Sequence, residues 1–189
     1  MRERRPHDWE TDLSQRHRLE NAVANAIENE PRLTLIERRT DSLDQADFVV
    51  ATELVPRAEV ELKAKWQRSP TWRRFLPGTA ERDLFILDER ALRHLLTAAP
   101  DAHLLILDYP NRRWVVFDTA QLALVNKGRT SRPIARQRQV MKGKVILDLR
   151  GGYQAGSHIT KAIPKLTDHI DGTHRNWSQI EAWPHPDTG

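Results

Sequence analysis

The stretch Ala58-Glu59-Val60-Glu61-Leu62-Lys63-Ala64-Lys65-Trp66 decides how the chain reads. Apolar and charged residues alternate in it without a break, which is the period of a strand half covered by a core. Ala58, Val60, Leu62, Ala64 and Trp66 therefore share one face, and Glu59, Glu61, Lys63 and Lys65 share the other. A strand this apolar on one side belongs well inside a sheet. Its other face gathers two carboxylates and two ammonium groups. That face either meets water or lines a site.

Upstream, Gln45-Ala46-Asp47-Phe48-Val49-Val50-Ala51 reads as the neighbouring strand, with Asp47 at its start. The strands at 46–54 and 58–66 are separated by Leu54-Val55-Pro56-Arg57, a short connection that fits a β-hairpin. Antiparallel pairing would bring Asp47 and Glu61 close together. Residues i and i+2 of a strand share a face, so Lys63 is expected beside Glu61. Lys63 is also the only lysine of the chain with an acid two residues before it.

Asp47, followed fourteen residues later by Glu61-Leu62-Lys63, resembles the motif of the PD-(D/E)xK, or restriction-endonuclease-like, nuclease superfamily. Ala46 stands where a proline often precedes the aspartate. The resemblance covers residues 14–125. It implies an α/β fold, a mixed β-sheet flanked by helices, in which an Asp and a Glu from adjacent strands hold a divalent metal. Asp47, Glu61 and the Leu62 carbonyl would be its ligands, with Mg²⁺ or Mn²⁺ as cofactor, and Lys63 would face the same site. Members often carry a Glu on the first helix, a place that Glu20 matches by position alone. Asp44 and Lys65 are outer candidates. A solvated helix face is the default for Glu20, and a turn for Asp44.

The chain has 189 residues, 39% apolar and 30% charged, ordinary for one globular domain with a tail. It has no cysteine, which excludes disulfides and thiolate metal sites. The basic start Met1–Pro6 is followed by no apolar core, and no run approaches the roughly 20 apolar residues of a membrane span. The expectation is a soluble, cytoplasmic protein with no membrane partner. A formal net charge of +4 favours a polyanion.

Residues 1–12 read as a flexible N-terminus, 13–150 as the nuclease-like domain, and 151–189 as a partly disordered C-terminal extension. Leu13 to Glu30 has helical periodicity, with Ser14 as a cap and Pro31 as its end. Strands are expected at 32–38, 83–87, 102–108, 114–117 and 144–149, and helices at 88–99 and 118–124. In the extension, His158, His169, His174 and His185 lie among acids without metal-ligand spacing, so zinc is not favoured.

Two basic stretches are candidate DNA contacts. Arg68, Arg73 and Arg74 are interleaved with Trp66 and Trp72, a pattern suited to gripping a backbone and stacking on a base. Between 126 and 144, Lys127, Arg129, Arg132, Arg136, Arg138, Lys142 and Lys144 occur with no acid, and Gly128 and Pro133 make the segment a loop. A segment of one sign repels itself unless an anion compensates it.

The function expected is a Mg²⁺- or Mn²⁺-dependent DNA endonuclease, acting in restriction, anti-phage defence or repair, as a homodimer or with a partner protein. The alternatives are a non-catalytic DNA-binding subunit of the same fold in a larger complex, or an interaction protein docking through Trp177 and Trp183.

Overall fold

Strands β1 (Thr34–Arg38), β2 (Phe48–Ala51) and β3 (Ala58–Lys65) begin the computed structural model's main sheet, after helix α1 (Pro6–Glu28). The structure describes residues 6–39, 45–67, 70–134 and 137–181. A second sequence of elements follows: β4 (Leu84–Asp88), α2 (Glu89–Thr97), β5 (Ala102–Asp108), β6 (Arg113–Asp118) and α3 (Thr119–Leu124). The chain continues through β7 (Lys127–Ile134), β8 (Gln137–Asp148), β9 (Tyr153–Gly156) and α4 (Ile159–Glu181). The main sheet has six strands in the order β1-β2-β3-β5-β6-β9, and a three-stranded sheet has the order β4-β8-β7. In the main sheet β3 and β5 run parallel and every other pair antiparallel. The protein is thus mixed α/β, with a mixed sheet covered by helices.

The alternation of β3 sorts the two layers. Ala58, Val60 and Leu62 join Leu105 and Val116 beneath α1 and α4, against Val23, Ile27, Ile163 and Leu166. On the opposite face Leu104, Ile106, Val115 and Phe117 meet Leu92 and Leu95 of α2, Leu122 of α3, and Phe85, Leu87, Val145 and Leu147 of the small sheet. Fully burying one such side chain contributes about 1.5–3 kcal/mol relative to leaving it exposed. Trp66 departs from the expected alternation. The strand ends at Lys65, and Trp66 is 38% exposed, beyond the core it would otherwise join.

Three further expectations are corrected. The first helix starts at Pro6, so its backbone takes in residues 6–12 and Ser14 lies inside it rather than capping it. The basic segment 126–144 is an antiparallel hairpin of β7 and β8, not a loop. Gly128, which reads as a loop former, serves a close approach instead: a Cβ there would lie 2.0 Å from the Phe75 carbonyl oxygen. Pro133 costs no ladder bond to a second neighbour because β7 is an edge strand of its sheet. The strand at 84–88 accordingly belongs to this small sheet and not to the main one.

Residues 153–181 are built into the same body rather than extending from it. β9 pairs with β6, and Ala155, Ala162, Ile163, Leu166 and Ile170 belong to the α1-side core. The sequence hides this because Pro164 and Gly172 read as breakers, yet α4 runs through both. His169 of α4 stacks on Tyr153 with ring centroids 5.5 Å apart and places Nε2 3.4 Å from Asp118 Oδ2. Residues 182–189, with His185 and Trp183, lie outside the described residues. Among the described residues no helix is long and apolar enough to cross a membrane.

A candidate metal centre and its basic surroundings

The β2–β3 hairpin forms as the sequence predicts, and its register sets the site. Phe48 opposes Val60, so Asp47, one residue before β2, is level with Glu61. Asp47 is held at both ends. Its carbonyl accepts from the Arg39 N–H at 2.8 Å, and its Oδ2 accepts from the Leu62 N–H at 2.8 Å. The Asp47 backbone is therefore tied to the end of β1 and its carboxylate to the backbone of β3, and the residue is buried.

Lys63 closes the group. Its ammonium forms an ion pair with Glu61 Oε1 and lies 4.0 Å from Asp47 Oδ2. Asp47, Glu61 and Lys63 are thus brought together on one face. Burial pushes the Glu61 carboxyl up; Lys63 opposes this and the Asp47 charge adds to it. The two buried carboxylates share the Lys63 ammonium between them.

The group extends to α1, where Glu20 is not solvated but 1% exposed. Arg16, one turn earlier, donates from Nε to Glu20 Oε1 at 2.5 Å and from Nη2 to Asp47 Oδ1 at 3.2 Å. His17 Nδ1 lies 3.4 Å from Glu20 Oε2. Glu20 is therefore coupled to the site through Arg16, a residue the motif did not indicate. The only sequence signal was the Arg16–Glu20 spacing of one helical turn. Asp44 lies outside the described residues.

The other charges of the β3 face are committed elsewhere. Glu59 meets Arg39 at 3.5 Å and His94 of α2 at 3.2 Å. Lys65 is buried, 3.5 Å from Asp108 Oδ1, and donates to the Arg82 carbonyl at 2.6 Å. Burial pushes its ammonium down, against the pull of Asp108. Its ammonium is thus committed to Asp108 and the Arg82 carbonyl rather than to the Glu61–Lys63 pair, where the sequence makes it an outer candidate.

The donor set fits a hard cation. Mg²⁺ is held by one or two carboxylates and keeps several waters or substrate oxygens. Asp47 and Glu61, with the Leu62 carbonyl between Glu61 and Lys63, offer only oxygen. Among the described residues no group of three or more His, Asp or Glu side chains is arranged to hold an ion. Any such cation would rely on these two carboxylates, and Asp47 would have to accept it beside Arg16.

The basic residues fall in three states. Arg73 and Arg74 are exposed on the short helical turn Pro70–Phe75, with the Arg74 guanidinium 4.6 Å from the Phe75 ring centre. Trp72 packs beside Phe75 rather than standing free. Arg129 is exposed on β7. Lys127, by contrast, donates to the Leu122 and Ala123 carbonyls at 2.7 and 2.6 Å, closing the end of α3. Lys142 and Lys144 both pair with Asp88, the anion that local sequence lacked. The backbones of Arg132 and Arg138 lie in β7 and β8, while Arg68 and Arg136 are outside the described residues.

The raised Glu61 carboxyl gives a test of this electrostatic picture. The folded protein holds that proton more tightly than the unfolded chain, so the charged form costs stability as pH rises above the unfolded value. In EDTA at neutral pH, Glu61→Gln is expected to melt no lower than wild type. Any gain should shrink toward acid pH, where both carry a neutral group. A scanning-calorimetry series across pH reads this directly.

Compared with protein-family models, curated proteins and solved structures, the chain matches none of them.

Proposed function

We propose that the chain is a Mg²⁺- or Mn²⁺-dependent deoxyribonuclease, hydrolysing phosphodiesters with Asp47, Glu61 and Lys63 of a PD-(D/E)xK-like core. The observation that supports it is the meeting of those three side chains, from the start of one strand and the middle of the next, around the Lys63 ammonium. The element order helps: a helix, three antiparallel strands, a crossover through α2, then β5 parallel to β3. That order accords with the resemblance.

In this reading Asp47 and Glu61 hold the ion, together with the Leu62 carbonyl. The ion, when bound, polarises the scissile phosphate and acidifies water. Lys63 orients the attacking water and offsets charge that develops on the phosphorus oxygens. Glu20 and Arg16 position Asp47. Arg73, Arg74, Arg129, Arg132, Arg136 and Arg138 supply phosphate contacts, which carry affinity rather than sequence preference.

Arg132→Ala/Arg136→Ala/Arg138→Ala tests the basic hairpin. DNA binding should weaken alike for all sequences. The slope of log affinity against log salt should fall by about one for each phosphate that the variant no longer neutralises. Unchanged affinity and slope would assign the charge to another role.

One observation favours a second reading, a non-catalytic DNA-binding subunit of the same fold. Arg16 already places a cation against Asp47 and Glu20. Cleavage assays of the whole chain with DNA and Mn²⁺ separate the two. DNA binding without cleavage selects the second.

A further inference from the structure

Beyond Lys63, the C-terminal ends of β3 and β5 carry an aromatic pair that the core does not use. Trp66 and Tyr109 pack together with ring centroids 5.6 Å apart, yet remain 38% and 60% exposed. They follow directly on Lys65 and Asp108, which are opposed in the β3–β5 ladder. The pair therefore stands on the two central strands, roughly 16 Å along β3 from Glu61 at 3.3 Å per residue.

The ground beneath the pair is rigid. The Arg82 carbonyl accepts from Lys65 Nζ at 2.6 Å, Asn111 Nδ2 at 2.9 Å and Arg113 Nη2 at 3.3 Å. Asp108, fully buried, accepts from Asn111 and Arg113 at 2.7 and 2.8 Å, and Arg113 also reaches Asp83 at 2.8 Å. The local acids are thus neutralised by Lys65 and Arg113. Two arginines beside the pair face solvent. The Arg82 side chain is 72% exposed, with only a 3.6 Å approach to Asp83. Arg112 is exposed and makes no ion pair among the described residues.

Arg112 also has φ of 49°, the left-handed conformation that glycine or asparagine adopts more readily. A tight turn between β5 and β6 needs that backbone, but it does not need a guanidinium. An arginine there presents charge at a backbone cost.

We propose that Trp66 and Tyr109, flanked by Arg82 and Arg112, form a stacking platform for an unpaired base of single-stranded DNA. Aromatic faces take any base by stacking, and arginines beside them hold the phosphates. A base inside a duplex has both faces covered, so only a single strand, a frayed end or a displaced base can use the pair. The inference rests on the nucleic-acid reading above, but not on cleavage.

The test is fluorescence anisotropy in EDTA with a labelled oligo-dT and with a blunt-ended hairpin duplex. Without metal, catalysis plays no part. Wild type should bind oligo-dT more tightly than the blunt duplex. Trp66→Ala and Tyr109→Ala should each weaken oligo-dT binding about tenfold, within the range for removing one base stack, and leave duplex binding unchanged. Trp66→Phe should retain most of the affinity, which guards against a variant that misfolds. Arg112→Gly should weaken oligo-dT binding without lowering the melting temperature. Equal affinity for the two DNAs, wild-type binding by both alanine variants, or equal weakening on both DNAs would overturn the platform. Tight oligo-dT binding together with intact supercoiled plasmid in Mg²⁺ and Mn²⁺ would leave it standing while the nuclease reading fell.

Discussion

Lys63→Ala is expected to fold, to bind DNA like wild type, and to cleave more slowly by on the order of 100- to 1000-fold, the usual cost of removing one group that stabilises transition-state charge. The ion-pair geometry explains why the fold should survive. Lys63 is half-buried, while Asp47 keeps the Leu62 and Arg39 backbone bonds and its bond to Arg16. Glu61 is deprived of its nearest cation, so the metal-free variant should melt somewhat lower than wild type at neutral pH. Added Mn²⁺ should raise the melting temperature of the variant as well as of wild type if Asp47 and Glu61 bind it, by ordinary linkage. Single-turnover cleavage, alongside melts with and without Mn²⁺, separates a defect in chemistry from a defect in metal binding. Cleavage at the wild-type rate would remove Lys63 from the mechanism.

The second large effect concerns stability in acid. His103, on β5, is 1% exposed, and neither ring nitrogen has a hydrogen-bond partner among the described residues. Burial, with His169 beside it, pushes the imidazole down to about 3, and Asp118 pulls the other way. The sign follows from linkage. The unfolded chain takes up this proton near pH 6.5 and the folded protein resists until about 3, so the unfolded state binds more protons between them. Stability is complete above 6.5 and declines as pH falls, by about 1.4 kcal/mol per pH unit once well below it. Urea melts between pH 7 and 4 should show this decline in wild type. His103→Leu should flatten that limb by close to one proton. An unchanged slope would mean that His103 is protonated in the fold, with Asp118 as its counter-ion.

Sequence periodicity carried the central strands well, because β3 is amphipathic and every other residue reports its layer. It also located the candidate site, since the i and i+2 positions of a strand and a short hairpin connection fix which side chains can meet. Asp47, Glu61 and Lys63 needed no long-range information. Glu20 did. Its burial depends on Arg16 reaching from α1 to Asp47, and a glutamate on a polar helix stretch looks the same in sequence whether or not such a partner exists.

The basic hairpin and α4 were illegible for a related reason. Gly128 and Pro133 in β7, and Pro164 and Gly172 in α4, are local breakers whose penalties tertiary structure offsets. Gly128 admits the Phe75 carbonyl, and Pro133 lies on an edge. Lys142 and Lys144 find Asp88 only because β4 pairs with β8 across more than fifty residues. Tyr109 likewise meets Trp66 only through the parallel β3–β5 ladder, which no local pattern announces.

The claim that Asp47 and Glu61 form a metal-dependent nuclease centre is tested most directly by incubating supercoiled plasmid with the protein, with Mg²⁺, Mn²⁺ or EDTA, beside Asp47→Asn and Glu61→Gln. The account predicts nicked or linear product with the wild type and either metal, none in EDTA, and little or none from the two variants. Intact plasmid with wild type and both metals, or product formed equally by the variants, would contradict it.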